Sequence, residues 1–180
     1  MTCDDDATPI PCKHSSARSG GRLSRHPIGF DRWHVARKHA PVSEFSLTPA
    51  IVNDAVRQHW ADTPHMCTEI GPTHAVATQV INQDGLRPGG FVPGPTMFSM
   101  ADVVLWYLSF ATVDRIEPMA LTSDLSIRFL RPAEGHTLWA RADLDKAGRL
   151  MVVGTVKIWV DDDPDRLVAT AQGTYVMPRR

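Results

Sequence analysis

The chain has 180 residues, 43% of them hydrophobic, and a formal net charge of −1. That is enough apolar material for one well-formed core, without the positive charge that draws a protein to nucleic acid. Three widely spaced cysteines, Cys3, Cys12 and Cys67, speak against a disulfide framework or a zinc knuckle and fit a reducing, cytoplasmic setting. The acidic start Met-Thr-Cys-Asp-Asp-Asp lacks the apolar core of a secretory signal, and no later run is expected to approach membrane-spanning length.

Residues 1–44 are rich in Ser, Gly, Arg, His and Pro and have no sustained apolar period. Such a segment does not offset its ordering entropy by burial, so it reads as a flexible tail, with Trp33 and Val35 as local docking points. The folded domain is expected over residues 45–180. Thr48 as a cap, Pro49 at the first helical position, and Val52, Val56 and Trp60 at helical spacing predict a short amphipathic helix ending near Trp60. Met66 to Gly71 and Thr73 to Ile81 then read as two strands joined at Gly71-Pro72, the second rich in Val and Thr.

From Gly85 to Asp102 a Gly/Pro loop feeds an apolar helix, predicted from Pro95 to about Thr112. It lacks a wide polar face and must therefore be a buried central helix. Gly94 reads as its N-cap, with Pro95 in the first turn, where the missing N–H is harmless. Four strand signals follow: Ala120 to Leu130, His136 to Asp145, Leu150 to Asp161 and Leu167 to Val176. They are separated by Pro132-Ala133-Glu134-Gly135, Lys146-Ala147-Gly148 and Asp162-Asp163-Pro164-Asp165.

These short turns favour antiparallel neighbours, so the economical packing is an α+β architecture: one curved antiparallel sheet wrapped around one long helix. Val152, Val156 and Ile158 on one side of a strand, against Met151, Val153 and Trp159 on the other, leave both its faces apolar. Oligomerisation is the expected remedy.

Asp102 stands out because its helical neighbours are Met100, Ala101, Val103, Val104, Leu105 and Trp106. A carboxylate buried there needs a partner or a chemical role. Two readings are open: a general base or nucleophile, or an acid that caps a backbone or pairs with an arginine across an interface. At the start of the same helix, the free Gly94 N–H suits a developing oxyanion, with Thr96 as a secondary contributor. Arg87 either pairs with Asp102, holds an anionic ligand group, or is a solvated loop residue.

Asp124 and Ser126 alternate with Leu125 and Ile127 as a half-buried strand requires. Asp161 to Asp163 with Asp165 read as a solvated turn rather than a calcium loop. His59, His65 and His74 form no His-Glu-x-x-His pattern, and Cys12 with His14 makes no ligand pair, so no metal is expected. Met97, Phe98, Met100, Trp106 and Phe110 are core residues first and pocket-lining candidates second.

The Gly/Pro loop, Met100-Ala101-Asp102, the run Leu121 to Ala133 (Leu-Thr-Ser-Asp-Leu-Ser-Ile-Arg-Phe-Leu-Arg-Pro-Ala) and the closing Arg166 to Tyr175 follow one another in an order that resembles the PaaI-like hotdog-fold acyl-CoA thioesterases. The resemblance covers roughly residues 45–178 and implies the hotdog fold. It also implies hydrolysis of an acyl-CoA or related thioester, with Asp102 as the catalytic acid facing a thioester at a dimer interface and the Gly94 amide polarising its carbonyl. Thr122 falls on the strand where relatives keep a hydroxyl that orients water.

Arg87, Thr96, Thr122 and Arg131 are the candidate substrate-binding residues, with Arg128 and Arg131 set against the phosphates of coenzyme A or, individually, as ordinary exposed strand ends. A homodimer or homotetramer is implied, with no cofactor beyond the coenzyme A of the substrate and no nucleic-acid or membrane partner. A medium-chain or aryl-acyl group fits the apolar pocket candidates. The family's loop carries Asn, Gly and then His-Gly-Gly; a gapless reading places Arg87 at the Asn, Gly90 at the first Gly, Pro93 at the His, and Gly94 with Pro95 at the Gly-Gly pair. These two changed polar positions keep a non-catalytic acyl-CoA binding or sensing module open as the alternative. A hotdog hydratase or dehydratase, which needs a catalytic His, is disfavoured by Pro93.

Overall fold

Helix α1 (Pro49–His59) starts where the Thr48 hydroxyl accepts the Ile51 amide and Pro49 enters the first turn. The computed structural model describes residues 44–179; the expected tail, with Trp33, Val35, Cys12 and His14, lies outside the described residues. Val52 and Val56, one turn apart, are the buried residues of α1. Asn53, between them, ties the helix to the first strand: its amide donates to the Cys67 carbonyl at 2.9 Å and its carbonyl accepts the Cys67 N–H at 2.8 Å.

Strands β1 (His65–Gly71) and β2 (His74–Val80) form the expected antiparallel hairpin. Helix α2 (Gly94–Val113) follows, then β3 (Leu121–Phe129), β4 (Thr137–Ala147), β5 (Met151–Val160) and β6 (Ala169–Val176). All six strands form one antiparallel sheet in the order β1-β2-β4-β5-β6-β3. Every residue of α2 from Val104 to Ala111 is buried, because the sheet curls around the helix instead of covering one side.

The inward positions of the central strands explain how the sheet approaches so closely. They hold Ala140, Ala142, Ala169 and Ala171, all buried, and two glycines. A Cβ on Gly154 would lie 2.6 Å from Leu108 and 2.9 Å from Leu105; one on Gly173 would lie 2.7 Å from Leu105 and 2.9 Å from the Asp124 carbonyl oxygen. Larger residues would push the helix away.

Two expectations fail. The short Pro132 to Gly135 connection predicts β3 and β4 as neighbours, yet β3 lies at the far edge beside β6. The connecting chain is carried across the sheet end by backbone hydrogen bonds, Leu130 to Val168, Val92 to Ala133 and Ile81 to His136, which satisfy its polar groups without a hairpin. The second concerns membrane-spanning length: α2, with 20 residues and a mean hydropathy of 1.4, is long and apolar enough to cross a membrane. Its most apolar stretch is instead 61% buried inside the protein.

The acidic turn after β5 is also more than a solvated loop. Asp161, at φ 53°, aims its carboxylate at the amides of His136 and Thr137 and stitches the end of β5 to the start of β4. On the outer sheet face Trp139 and Trp159 stack at 6.1 Å, so part of the apolar outer surface of β5 covers itself. Strand β3 contrasts with the others: of its nine residues only Leu125 and Ile127 are even partly covered.

Candidate active site

Asp102 lies in the third turn of α2, and the strand register determines what meets it. Thr122 of β3 is paired with Tyr175 of β6, and both side chains reach the same carboxylate oxygen. The Thr122 hydroxyl donates to Asp102 Oδ1 at 2.7 Å, and the Tyr175 hydroxyl lies 2.7 Å from Oδ1 and 2.9 Å from the Asp102 carbonyl oxygen. These are short contacts, as hydrogen bonds to an anion are.

No hydrogen bond reaches Oδ2 among the described residues. Burial, with the adjacent Asp102 carboxylate also acting upward, pushes the Tyr175 phenol well above its ordinary range, so it keeps its proton and serves as a donor. The acid that looked stranded in the sequence is thus half-exposed and held by two hydroxyls.

His65, at the start of β1, is buried close by. Its Nδ1 is 3.3 Å from the Thr63 hydroxyl and its Nε2 is 3.5 Å from the Ser99 hydroxyl. Burial lowers its pKa, with the nearby Asp102 pulling the other way, which favours the neutral ring. Among the described residues no cluster of three or more His, Cys, Asp and Glu side chains is placed to hold a metal.

Asp102 borders two cavities. An open groove along the first half of α2 is lined by Gly94, Pro95, Phe98, Ser99 and Asp102, with Ile127 and Phe129 from β3 opposite. On the other side lies a cavity of about 360 Å³, lined by the polar groups of Asp102, Thr122, Tyr175 and Thr63, by Tyr107, whose buried hydroxyl has no hydrogen-bond partner among the described residues, and otherwise by apolar and aromatic side chains.

The helix start differs by one residue from the sequence expectation. Pro93 is the flanking cap residue and Gly94 is already the first helical residue, with Pro95 after it. Thr96 and Met97 both donate to the Pro93 carbonyl, whereas the Gly94 N–H has no backbone partner among the described residues. Gly94 is therefore the open donor at this helix terminus and the Thr96 amide is not.

The two candidate arginines lie elsewhere. Arg87 is exposed in the loop, where its amide bonds the Phe91 carbonyl, and Arg131 is exposed beyond β3; neither lines a cavity that contains Asp102. Arg128 and Ser126 line the outer sheet face with Thr155, Thr170 and Gln172.

Sequence reasoning placed Asp102, Gly94 and Thr122 in the site but missed two contributors. Tyr175 carried a signal, since it stands at an inward position among the alternating residues of β6. His65 carried one too, since its alternation with Met66 and Cys67 turns it inward.

A curved antiparallel sheet wound around one long helix, with an acid on that helix near its open edge, defines the hotdog class. Residues 89–167 match the thioesterase superfamily. Its fold is similar to that of a Silicibacter protein provisionally assigned as a thioesterase, with 27% identity and a TM-score of 0.67 over 76% of this chain and 95% of that one. A thioesterase of Haemophilus influenzae is similar at 17% identity and a TM-score of 0.61, over 74% and 92% of the two chains. The PaaI protein from the phenylacetic acid degradation operon of Escherichia coli is similar at 24% identity and a TM-score of 0.57, over 71% and 87%. No curated protein matches the chain.

Proposed function

We propose that this protein hydrolyses an acyl-CoA thioester in a site shared by two copies of the chain. The observation that carries the reading is the setting of Asp102: one carboxylate oxygen is held by Thr122 and Tyr175, the other accepts no hydrogen bond among the described residues, and the residue lines two cavities. As a general base, Oδ2 takes a proton from water that attacks the thioester carbon; as a nucleophile, it attacks that carbon itself and water then cleaves the anhydride. In either route the C–S bond breaks, coenzyme A leaves as the thiol, and a backbone N–H such as that of Gly94 holds the oxyanion.

Helix geometry supports the shared site. Gly94 and Asp102 are eight residues apart, about 12 Å along the axis, whereas the donor and the attacking group must both lie within about 3 Å of one reacting carbonyl. One helix cannot supply both. A second copy with its α2 antiparallel to the first brings its Gly94 to this Asp102. The unpaired edge of β3, with Leu121, Phe129 and Leu130 exposed beside the groove, is the surface that such pairing covers. Arg87 and Arg131, exposed near that edge and loop, fit this reading as handles for the phosphates of coenzyme A.

A thiol-release assay over a panel of acyl-CoAs tests the reading. The wild type is expected to turn over, and Asp102→Asn is expected to lose about a thousandfold in kcat/KM with its melting temperature nearly unchanged. Equal turnover by both proteins would remove Asp102 from the mechanism. The changed positions Arg87 and Pro93 favour one second reading, a non-catalytic acyl-CoA binding module; tight binding by the wild type without thiol release would select it.

A further inference from the structure

We infer that Trp60 sets the length of acyl group this protein accepts, an assignment that rests on the thioesterase reading above. The cavity of about 360 Å³ begins at the Asp102 carboxylate, where the reacting carbon must sit. Away from that polar end its walls include Val56, Trp60, Val103, Trp106 and Leu121, with the ring of Tyr107 beside them. It is large enough for a small ligand group, and with no charged residue in its lining except Asp102 it suits an uncharged hydrocarbon.

Trp60 is the C-cap residue of α1, its N–H held by the Val56 carbonyl. Its ring stands edge-on to Trp106 at 5.2 Å, one helical turn beyond Asp102. The same side chain that lines the cavity is 54% exposed to solvent, so it is a wall between the cavity and water and not a member of the core. Removing a core side chain leaves a closed void; removing this wall opens the cavity outward. An acyl chain that stops at Trp60 in the wild type then continues past it along Trp106.

The test measures kcat/KM for straight-chain acyl-CoAs from butyryl to palmitoyl with the wild type, Trp60→Ala and Trp60→Leu. Alongside, binding of the same series is measured by calorimetry in the Asp102→Asn background, with and without Trp60→Ala. The wild type is expected to peak at an intermediate length and fall beyond it. Trp60→Ala moves the peak to longer chains, with a gain of about tenfold for two added methylenes relative to the wild-type optimum, and Trp60→Leu moves it less.

A uniform loss across all lengths, with the peak unmoved, overturns the inference while leaving the hydrolase reading intact. If the wild type releases no thiol but Trp60→Ala still shifts the length preference in binding, the cavity assignment stands and the hydrolase reading falls. Should Trp60→Ala fail to fold, the peak position of Trp60→Leu decides by the same criterion.

Discussion

Strands β3 and β4 carry the same alternation of apolar and polar residues and meet opposite fates. In β4, Leu138, Ala140 and Ala142 are fully buried against α2, with β2 on one side and β5 on the other. In β3, Leu125 and Ile127 are only partly covered, and Phe129, at the same kind of inward position, is 50% exposed. One strand is enclosed by neighbours and the other has β6 alone. Burial is therefore a property of position in the sheet and not of the strand's own pattern. The uncovered edge is also the wall of the groove that holds Asp102.

The largest expected effect breaks the open region. Phe129→Glu places a charge on the β3 edge and is expected to turn the proposed two-copy assembly into a monomer in sedimentation velocity. Thiol release should fall with it by at least about a hundredfold if each site needs a second subunit. A monomer with full activity would refute the shared site.

In the enclosed region the corresponding change acts on stability alone. Gly173→Ala puts a methyl group against Leu105 and the Asp124 carbonyl and is expected to cost about 2 kcal/mol in denaturant unfolding. Ser126→Ala, on the outer face of the edge strand, should change stability by less than about 0.5 kcal/mol.

A smaller effect separates the two hydroxyls on Asp102. Tyr175→Phe keeps the buried ring and removes one donor, and is expected to lower kcat about tenfold with KM little changed. Thr122→Val should do the same from the exposed side, and the double variant should lose less than the product of the two if they share one role. Independent, multiplicative losses would show that the hydroxyls do not act as a clamp.

The mildest test uses pH on two buried groups of β1, the strand at the opposite edge of the sheet. Burial raises the Cys67 thiol from its ordinary 9.0 to about 12, so above about pH 9 the unfolded chain releases a proton that the folded chain keeps, and stability falls as pH rises toward 12. His65 works in the opposite direction: its pKa is lowered from 6.5, so the stability it contributes is present above 6.5 and lost as pH falls through the folded value. Denaturant midpoints followed from acid to alkali should thus decline at both ends. Cys67→Ala should flatten the alkaline limb and His65→Gln the acid one.

Much of the fold was legible because its signals are local. Thr48-Pro49 with Val52 and Val56 located α1, the apolar run after Gly94 located α2, and all six strands fell within a few residues of their observed limits. The order of β3 in the sheet was not legible, since Pro132 to Gly135 reads like any hairpin turn and the hydrogen bonds that carry it across the sheet end come from Val168 and Val92, far away in sequence. The helix start was misplaced by one residue for a smaller reason: both Gly94 and Pro95 fit the first turn, and only the bonds from Thr96 and Met97 to the Pro93 carbonyl decide between them.

The sequence by itself determined the elements, the α+β class and the two ends of the proposed machinery on α2, Gly94 and Asp102, because periodicity, caps and helix ends are short-range physics. Only the tertiary structure decided what surrounds the acid. Tyr175 lies 73 residues and Thr122 lies 20 residues from Asp102, and they meet there because the β3 to β6 register sets one opposite the other. Trp60, read as the end of an amphipathic helix, became the wall of a cavity once its ring met Trp106 of α2. Such contacts follow from how closely the sheet can wind around the helix, which the small side chains of its central strands allow, and no local pattern records that closeness.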